Sequence, residues 1–251
     1  MTQGAASNDV AAVVLAAMGG ARLERSLASV AWARERVVLD PSARVDGREL
    51  PAGVRYVARP APLIDLGSAD WLLLVLEGEV ASPRLADAVA GIGAEASGAR
   101  AFAVPVEMHA IGTRWTPRPA VRLVARAAAT LVVRDGRPEL AADGAALPLA
   151  DASIVVEAPP SLEAAVQALD AESAAVAAWL HRGGLRVKVR HLLLPPLVTV
   201  ARVLLARGGR TRPWARWVAA VFAGYRTLLV PAKVWELRQL AAVQTPRAGG
   251  A

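Results

Sequence analysis

The chain has 251 residues, of which 55% are hydrophobic and 20% are charged, and it contains no cysteine. This composition excludes disorder as a description of the whole chain, and the length fits one large domain or a domain with an appendage. The lack of cysteine excludes a disulfide scaffold, a thiolate metal site and a cysteine nucleophile. The three histidines, His109, His181 and His191, can form a three-histidine zinc site only if all of them converge.

The net charge of +7 is distributed unevenly along the chain. Residues 1–181 hold 16 basic and 21 acidic side chains, whereas residues 182–251 hold 13 basic side chains and one acid, Glu236. An acidic body with a basic tail is typical of a protein that meets phosphate, on nucleic acid or on an anionic lipid surface.

Apolar runs bounded by glycine and proline predict strands that alternate with helices, which indicates an open, mostly parallel wound α/β sheet. The predicted elements, in chain order, are strands at 10–16, 36–39, 54–58, 71–76 and 101–106, short strands between 114 and 156, and helices at 21–29, 82–92 and 161–180. Ser161 is the predicted cap of the last helix. Its predicted buried stripe consists of Leu162, Val166, Leu169, Val176 and Trp179.

Composition changes at Gly183-Gly184, which divides the chain into a body at 1–182 and a basic amphipathic helical tail at 183–251. Prolines and arginines interrupt the apolar runs of the tail, so we expect helices that lie flat in a membrane interface rather than span it. The first ten residues contain no Lys or Arg, so we expect no secretory signal. The alternatives for the tail are packing on the body or on a second subunit, and nucleic-acid binding, for which no reading motif is present.

Acidic side chains follow two predicted strands, where open α/β sheets bind ligands. Asp40 follows the second strand, with Asp46 on the same loop, and Glu77 and Glu79 follow the central strand. Two carboxylates separated by one residue can share Mg²⁺ or Mn²⁺, which would bridge a diphosphate, although a solvated turn has the same pattern. P-loop, dinucleotide and nucleophile-elbow motifs are absent.

Several segments between residues 10 and 238 resemble family 2 glycosyltransferases, and they follow one another in the same order as in that family. The resemblance is strongest to the lipopolysaccharide core sugar transferase-like subgroup. The matching segments are RLERSLASVAWA at 22–33, VVLD at 37–40, DWLLL at 70–74, VASPRL at 80–85, Arg122-Leu123, the helix around 196–206 and AKVWEL at 232–237.

The resemblance implies a GT-A-like fold, a nucleotide-sugar donor, a glycolipid or envelope glycan acceptor, and a peripheral position on the cytoplasmic face of the membrane. It implies that Asp40 contacts the nucleoside, with Asp46 nearby, and that Glu77 and Glu79 stand where the family has its D-x-D metal ligands. Glu139 matches the segment that would supply a catalytic base.

The chain departs from the family on the donor side. The acidic motif after the first strand is Ala17-Met18-Gly19-Gly20 here, and glutamates replace both metal aspartates. Arginines at 114, 118 and 122 can substitute for a cation on a diphosphate, because guanidinium groups match phosphate oxygens.

Two functional hypotheses follow. The first is a hexosyl-transferring enzyme of the cell envelope, in which Mg²⁺ or Mn²⁺ on Glu79, or arginines, stabilise the leaving diphosphate. The second is a catalytically inactive, membrane-associated transferase-like binding or scaffold protein. A nucleic-acid binder ranks behind both.

Overall fold

The computed structural model describes residues 9–58, 65–95, 99–110, 113–115, 119–134, 137–149, 151–157, 159, 161–184, 187, 189–205 and 213–244. Three sheets and five α-helices are described within these ranges. The architecture is mixed α/β.

The main sheet has seven strands in the order β12-β6-β9-β4-β1-β2-β3. Its strands are β1 (Val10–Leu15), β2 (Glu35–Leu39), β3 (Val54–Val57), β4 (Trp71–Leu76), β6 (Ala101–Val104), β9 (Ala120–Ala125) and β12 (Leu147–Pro148). Four of its six pairings are parallel, and β9 runs antiparallel to both of its neighbours. The predicted mostly parallel sheet is therefore confirmed.

A second sheet has the order β5-β13-β7-β8, from β5 (Glu79–Ala81), β13 (Ile154–Val156), β7 (Val106–Ala110) and β8 (Thr113–Trp115). A separate antiparallel hairpin consists of β10 (Thr130–Arg134) and β11 (Arg137–Ala141). The predicted strand at 101–106 is divided at Pro105 between two sheets, since proline has no N–H to continue a ladder.

The helices are α1 (Ala21–Ser29), α2 (Pro83–Glu95), α3 (Leu162–Arg182), α4 (Val189–Leu205) and α5 (Pro213–Gln244). Helix α1 buries Leu23 and Leu27, which are four residues apart and lie on one face. Ser161 caps α3 as predicted, because its Oγ accepts from the backbone N–H of Ala164 at 3.1 Å.

The predicted buried stripe of α3 is partly wrong. Leu169 and Val176 are buried, but Leu162 is 64% exposed and Val166 is 40% exposed. The other side chains that α3 buries are all small, namely Ala171, Ser173, Ala175 and Ala177. Small side chains let α3 approach its neighbours closely. The apolar periodicity of the sequence did not indicate that α3 would bury small side chains instead of Leu162 and Val166.

The core lies on both faces of the main sheet. Val10, Val14 and Leu73 belong to one apolar cluster, and Val13, Leu74 and Val176 belong to the other. All six residues of β1 are buried, as expected for a central parallel strand that is covered on both sides. Strand β4 is central as predicted, with β1 on one side and β9 on the other.

The tail forms a helical hairpin of α4 and α5, and α5 also packs on the body. Val230 and Val234 of α5 are buried, and Val230 shares a cluster with Val176 of α3. None of the helices in the described ranges is both long and apolar enough to cross a membrane.

Candidate functional site at the carboxyl edge of the sheet

Four parallel strands end together at one edge of the main sheet. Leu15 is in register with both Leu39 and Leu76, and Leu39 is in register with Val57. The loops after β1, β2 and β4 therefore meet at this edge, which we call the carboxyl edge. It is the part of an open α/β sheet where ligands bind.

Glu77 closes the loop that follows β1. Its Oε2 accepts from the backbone N–H groups of Ala17, Met18 and Gly19 at 2.7, 2.9 and 3.0 Å. Successive N–H groups directed at one point form an anion-binding nest, and here a carboxylate of the same chain occupies it. The carboxylate of Glu77 thus takes the place that a bound anion would have in the nest.

The turn after β4 requires glycine at its centre. Gly78 has φ of +84°, and a Cβ at this position would lie 2.0 Å from an Nη atom of Arg22. The guanidinium of Arg22, in the first turn of α1, therefore lies directly on the Glu77-Gly78-Glu79 turn. A side chain at position 78 would displace it.

Glu79 belongs to a buried ion pair. Its Oε1 accepts from Nη2 of Arg122 at 2.7 Å, and its Oε2 accepts from the backbone N–H of Leu76 at 2.9 Å. The two side chains are 2% and 1% exposed. Arg122 also donates to the carbonyl of Pro138 at 3.3 Å. The pair therefore joins β5, β9 and β11 inside the protein.

The two glutamates do not fit a shared divalent cation in this arrangement. Both carboxylate oxygens of Glu79 have partners inside the protein. Glu77 Oε2 accepts from three N–H groups, and the positive ends of these groups would repel a cation placed there. No group of three or more potential ligands occurs within the described residues. The metal site that the resemblance implies therefore stays a prediction, without a ligand set in this geometry.

Asp40 is completely buried, and it organises its own loop. Oδ1 accepts from the N–H and the hydroxyl of Ser42, and Oδ2 accepts from the N–H of Val45 at 2.8 Å. The hydroxyl of Tyr56 lies 3.0 Å from Oδ2 and 2.9 Å from the carbonyl of Val45. These contacts hold Asp40 as a structural centre of the loop that was predicted to contact the nucleoside.

The other predicted site residues lie apart from this edge or have local roles. Asp46 is exposed and caps the short 3₁₀ helix Gly47–Glu49, accepting from the N–H of Arg48 at 2.9 Å. Glu139 is on the β10–β11 hairpin, 3.9 Å from Arg134. Arg118 falls outside the described residues, and Arg114 is in β8.

Helix α3 covers the carboxyl edge. Ala171 and Ala175 form an apolar cluster with Ala17 of the β1 loop. The cavity left between them has a volume of about 20 Å³, and Met18, Arg22, Glu77 and Glu172 are among its lining residues. Small-molecule sites are roughly 300–1,000 Å³, so this cavity holds about one water.

Helix α5 holds α3 in place over the edge. Lys233 Nζ contacts Asp170 Oδ1 at 2.6 Å, and Arg226 Nη2 lies 3.6 Å from Glu172 Oε2. Burial lowers the pKa of Arg226 to about 10, and the nearby charge of Arg137 contributes. The tail is therefore connected to the edge through α3.

Three features of the edge were absent from the sequence interpretation. They are Arg22 on the glycine turn, the alanine face of α3, and Arg226 beside Glu172. An arginine in a first helical turn carried no signal by itself. The spacing of Ala171 and Ala175 is helical, and it could have indicated a close approach.

A larger depression of about 490 Å³ lies elsewhere, beside Arg100, Asp143 and Leu147 at the β12 end of the sheet. None of the predicted site residues lines it.

Comparisons with known proteins add little to this geometry. No family model matches the chain, and no curated protein matches it significantly. Three crystal structures of Staphylococcus aureus TarS are among the similar solved structures. TarS residues 1–349 with UDP give a TM-score of 0.36 at 12% identity, covering 92% of this chain and 91% of that chain.

TarS 1–349 on its own gives a TM-score of 0.35 at 12% identity with the same coverage. A third crystal structure of TarS gives a TM-score of 0.36 at 13% identity, covering 93% of this chain and 52% of that one.

Removal of one member of the buried ion pair should strongly destabilise the folded protein. We expect Arg122→Met to lower the free energy of unfolding by about 3–5 kcal/mol, because Glu79 would keep a buried, uncompensated charge. Glu79→Gln together with Arg122→Met should recover part of that loss. Urea unfolding of the single and double variants measures the coupling, and additive effects would contradict the pair.

Tyr56 should titrate late. Burial, and then the hydrogen bond to Asp40, raises the pKa of Tyr56 to about 12. Because the folded state holds this proton more tightly, its stabilising effect is complete below pH 10 and is lost as the pH rises towards about 12. An ultraviolet titration of tyrosinate should lose its late component in Tyr56→Phe and keep it in Tyr225→Phe. An unchanged late component in Tyr56→Phe would contradict the raised pKa of Tyr56 and its hydrogen bond to Asp40.

Proposed function

We propose that this chain is a glycosyltransferase-like protein that binds rather than transfers, with a sugar-nucleotide cleft closed by its own side chains. Its position would be peripheral, on the cytoplasmic face of the membrane. Its binding partners would be a glycolipid or envelope glycan, or an enzyme that makes one. This proposal follows the second of the two hypotheses from the sequence.

One observation carries the proposal: the occupied nest under the cover of α3. A diphosphate placed at this nest would compete with Glu77 for the N–H groups of residues 17–19, and the packed alanines leave about 20 Å³. Binding there would require both displacement of a carboxylate and movement of α3. The partners of Asp40 and Glu79 support the same conclusion, because each side chain stabilises the fold from within.

Transfer of a sugar from a nucleotide donor is the second candidate. It is favoured by the convergence of Arg22, Glu77 and Glu172 on the cavity at the carboxyl edge. Polar groups that line a cavity at this position are what a donor site needs. In this alternative α3 moves away on binding, and Arg22 contacts the diphosphate directly.

Calorimetric titration with UDP, GDP, ADP and CDP, each with and without Mn²⁺, distinguishes the candidates. We expect no binding of any nucleotide at millimolar concentration by the full chain. Micromolar binding by the wild type that is lost in Arg22→Ala and altered in Glu77→Ala would contradict the non-catalytic proposal and support transfer. Glu163→Ala, which removes an exposed carboxylate from the start of α3, is the matched control and should behave as the wild type.

A further inference from the structure

Exposed apolar side chains are concentrated on the tail helices. Fifteen large apolar side chains are exposed within the described part of the chain, and eleven of them lie on α4 and α5. Leu205 is 79% exposed and Leu197 is 68% exposed. The eleven are Leu193, Leu194, Leu197, Val198, Leu205, Trp214, Trp217, Val221, Tyr225, Trp235 and Leu240. A concentration of this kind marks an interaction surface.

The spacing of these side chains follows the helices. In the first half of α5, the exposed positions Trp214, Trp217, Val221 and Tyr225 are three or four residues apart, so they form one stripe. On α4 the exposed large side chains are aliphatic, at 193, 194, 197, 198 and 205. The outer surface of the hairpin, defined by these nine residues, is apolar and contains no acid.

The two helices also contact each other, and this inner contact is formed around Gly224. A Cβ on Gly224 would lie 2.5 Å from a side-chain carbon of Val200, so the helices cross closely at this glycine. Thr227 Oγ1 lies 3.4 Å from Thr199 Oγ1 at the same contact. Because this inner contact is already satisfied, the outer surface is left without a partner within the described part of the chain.

The charge of the tail selects the partner. Residues 182–251 hold 13 basic side chains against Glu236 alone, and two of them, Arg226 and Lys233, pair with acids of α3 in the salt bridges described above. An anionic lipid surface complements both properties, because its headgroups attract the basic side chains and its acyl boundary accepts the aliphatic ones. Tryptophan and tyrosine are favourable at the headgroup level, and three of them lie in the α5 stripe.

We infer that the outer surface of the α4–α5 hairpin is a membrane-binding surface for anionic phospholipid. The inference rests on the proposed membrane position and identifies the side chains that make it. The hairpin lies flat in the interface, with the α5 stripe and the α4 aliphatic side chains inserted. The middle of α5 holds the body through Arg226 and Lys233.

Vesicle cosedimentation of the full chain tests the inference. We expect binding to phosphatidylcholine vesicles that contain phosphatidylglycerol, weaker binding to pure phosphatidylcholine, and loss of binding as salt is added. The double variant Leu197→Glu with Val221→Glu should bind about tenfold more weakly or worse, because two exposed apolar side chains that would insert into the lipid become charged. Leu147→Glu, an exposed leucine on the edge strand β12, is the matched control and should bind as the wild type.

A second readout leaves the charge of the protein unchanged. Brominated lipids should quench the tryptophan fluorescence of the bound wild type, and Trp214→Phe with Trp217→Phe should remove most of that quenching. Trp32→Phe, which replaces a tryptophan packed against the core, should leave the quenching in place.

The outcomes separate this inference from the proposal beneath it. Absence of wild-type binding to anionic vesicles would overturn both the membrane position and this surface. Binding that the double variant and the tryptophan variants leave unchanged would overturn the surface alone. Ultracentrifugation that shows a wild-type dimer, converted to monomer by the double variant without a change in vesicle binding, would assign the surface to a second copy of the chain and overturn the inference.

Discussion

The hydrogen bonds between Glu77 and the three N–H groups after β1 are the constraint on which the carboxyl edge depends. They join the ends of two central strands, and they place a negative charge where a sheet of this type would otherwise offer an anion site. Gly78 then turns the chain under Arg22, and Glu79 enters the interior to meet Arg122. Two glutamates that are separated by a single glycine thus have different structural roles.

The remaining parts of the edge follow from that closure. A β1 loop that is held close to the sheet allows Ala171 and Ala175 of α3 to pack on Ala17. Helix α5 then fastens α3 through Lys233 and Arg226, and it continues the hairpin whose outer surface is apolar. The tail and the edge are therefore mechanically connected, which gives the proposed membrane surface a physical link to the proposed binding cleft.

Much of the fold could be predicted from the sequence, because apolar runs such as 10–15 and 71–76 are buried on both faces and have few alternatives. The short strand β5 was missed, since Glu79 reads as a solvated residue until Arg122, 43 positions later, is known to be its partner. The exposure of Leu162 and Val166 was missed because helical periodicity identifies a face and not its neighbour.

The candidate site was predicted less well, because the partners of its side chains come from distant parts of the sequence. The sequence located acidic residues at the correct edge, and Asp40, Glu77 and Glu79 do lie on or next to the loops there. It could not indicate which oxygen meets an N–H, a guanidinium or solvent, because those partners come from distant segments. Asp40, for example, accepts hydrogen bonds from the N–H of Val45 and the hydroxyl of Tyr56. Glu139 lies on a hairpin that sequence order alone did not position relative to the sheet.

Amide hydrogen exchange at residues 17, 18 and 19 tests the closed edge most directly. The account predicts slow exchange of these three amides in the nucleotide-free full chain, and fast exchange in Glu77→Ala while Glu163→Ala remains slow. Rapid exchange in the wild type, or protection that Glu77→Ala leaves unchanged, would contradict it.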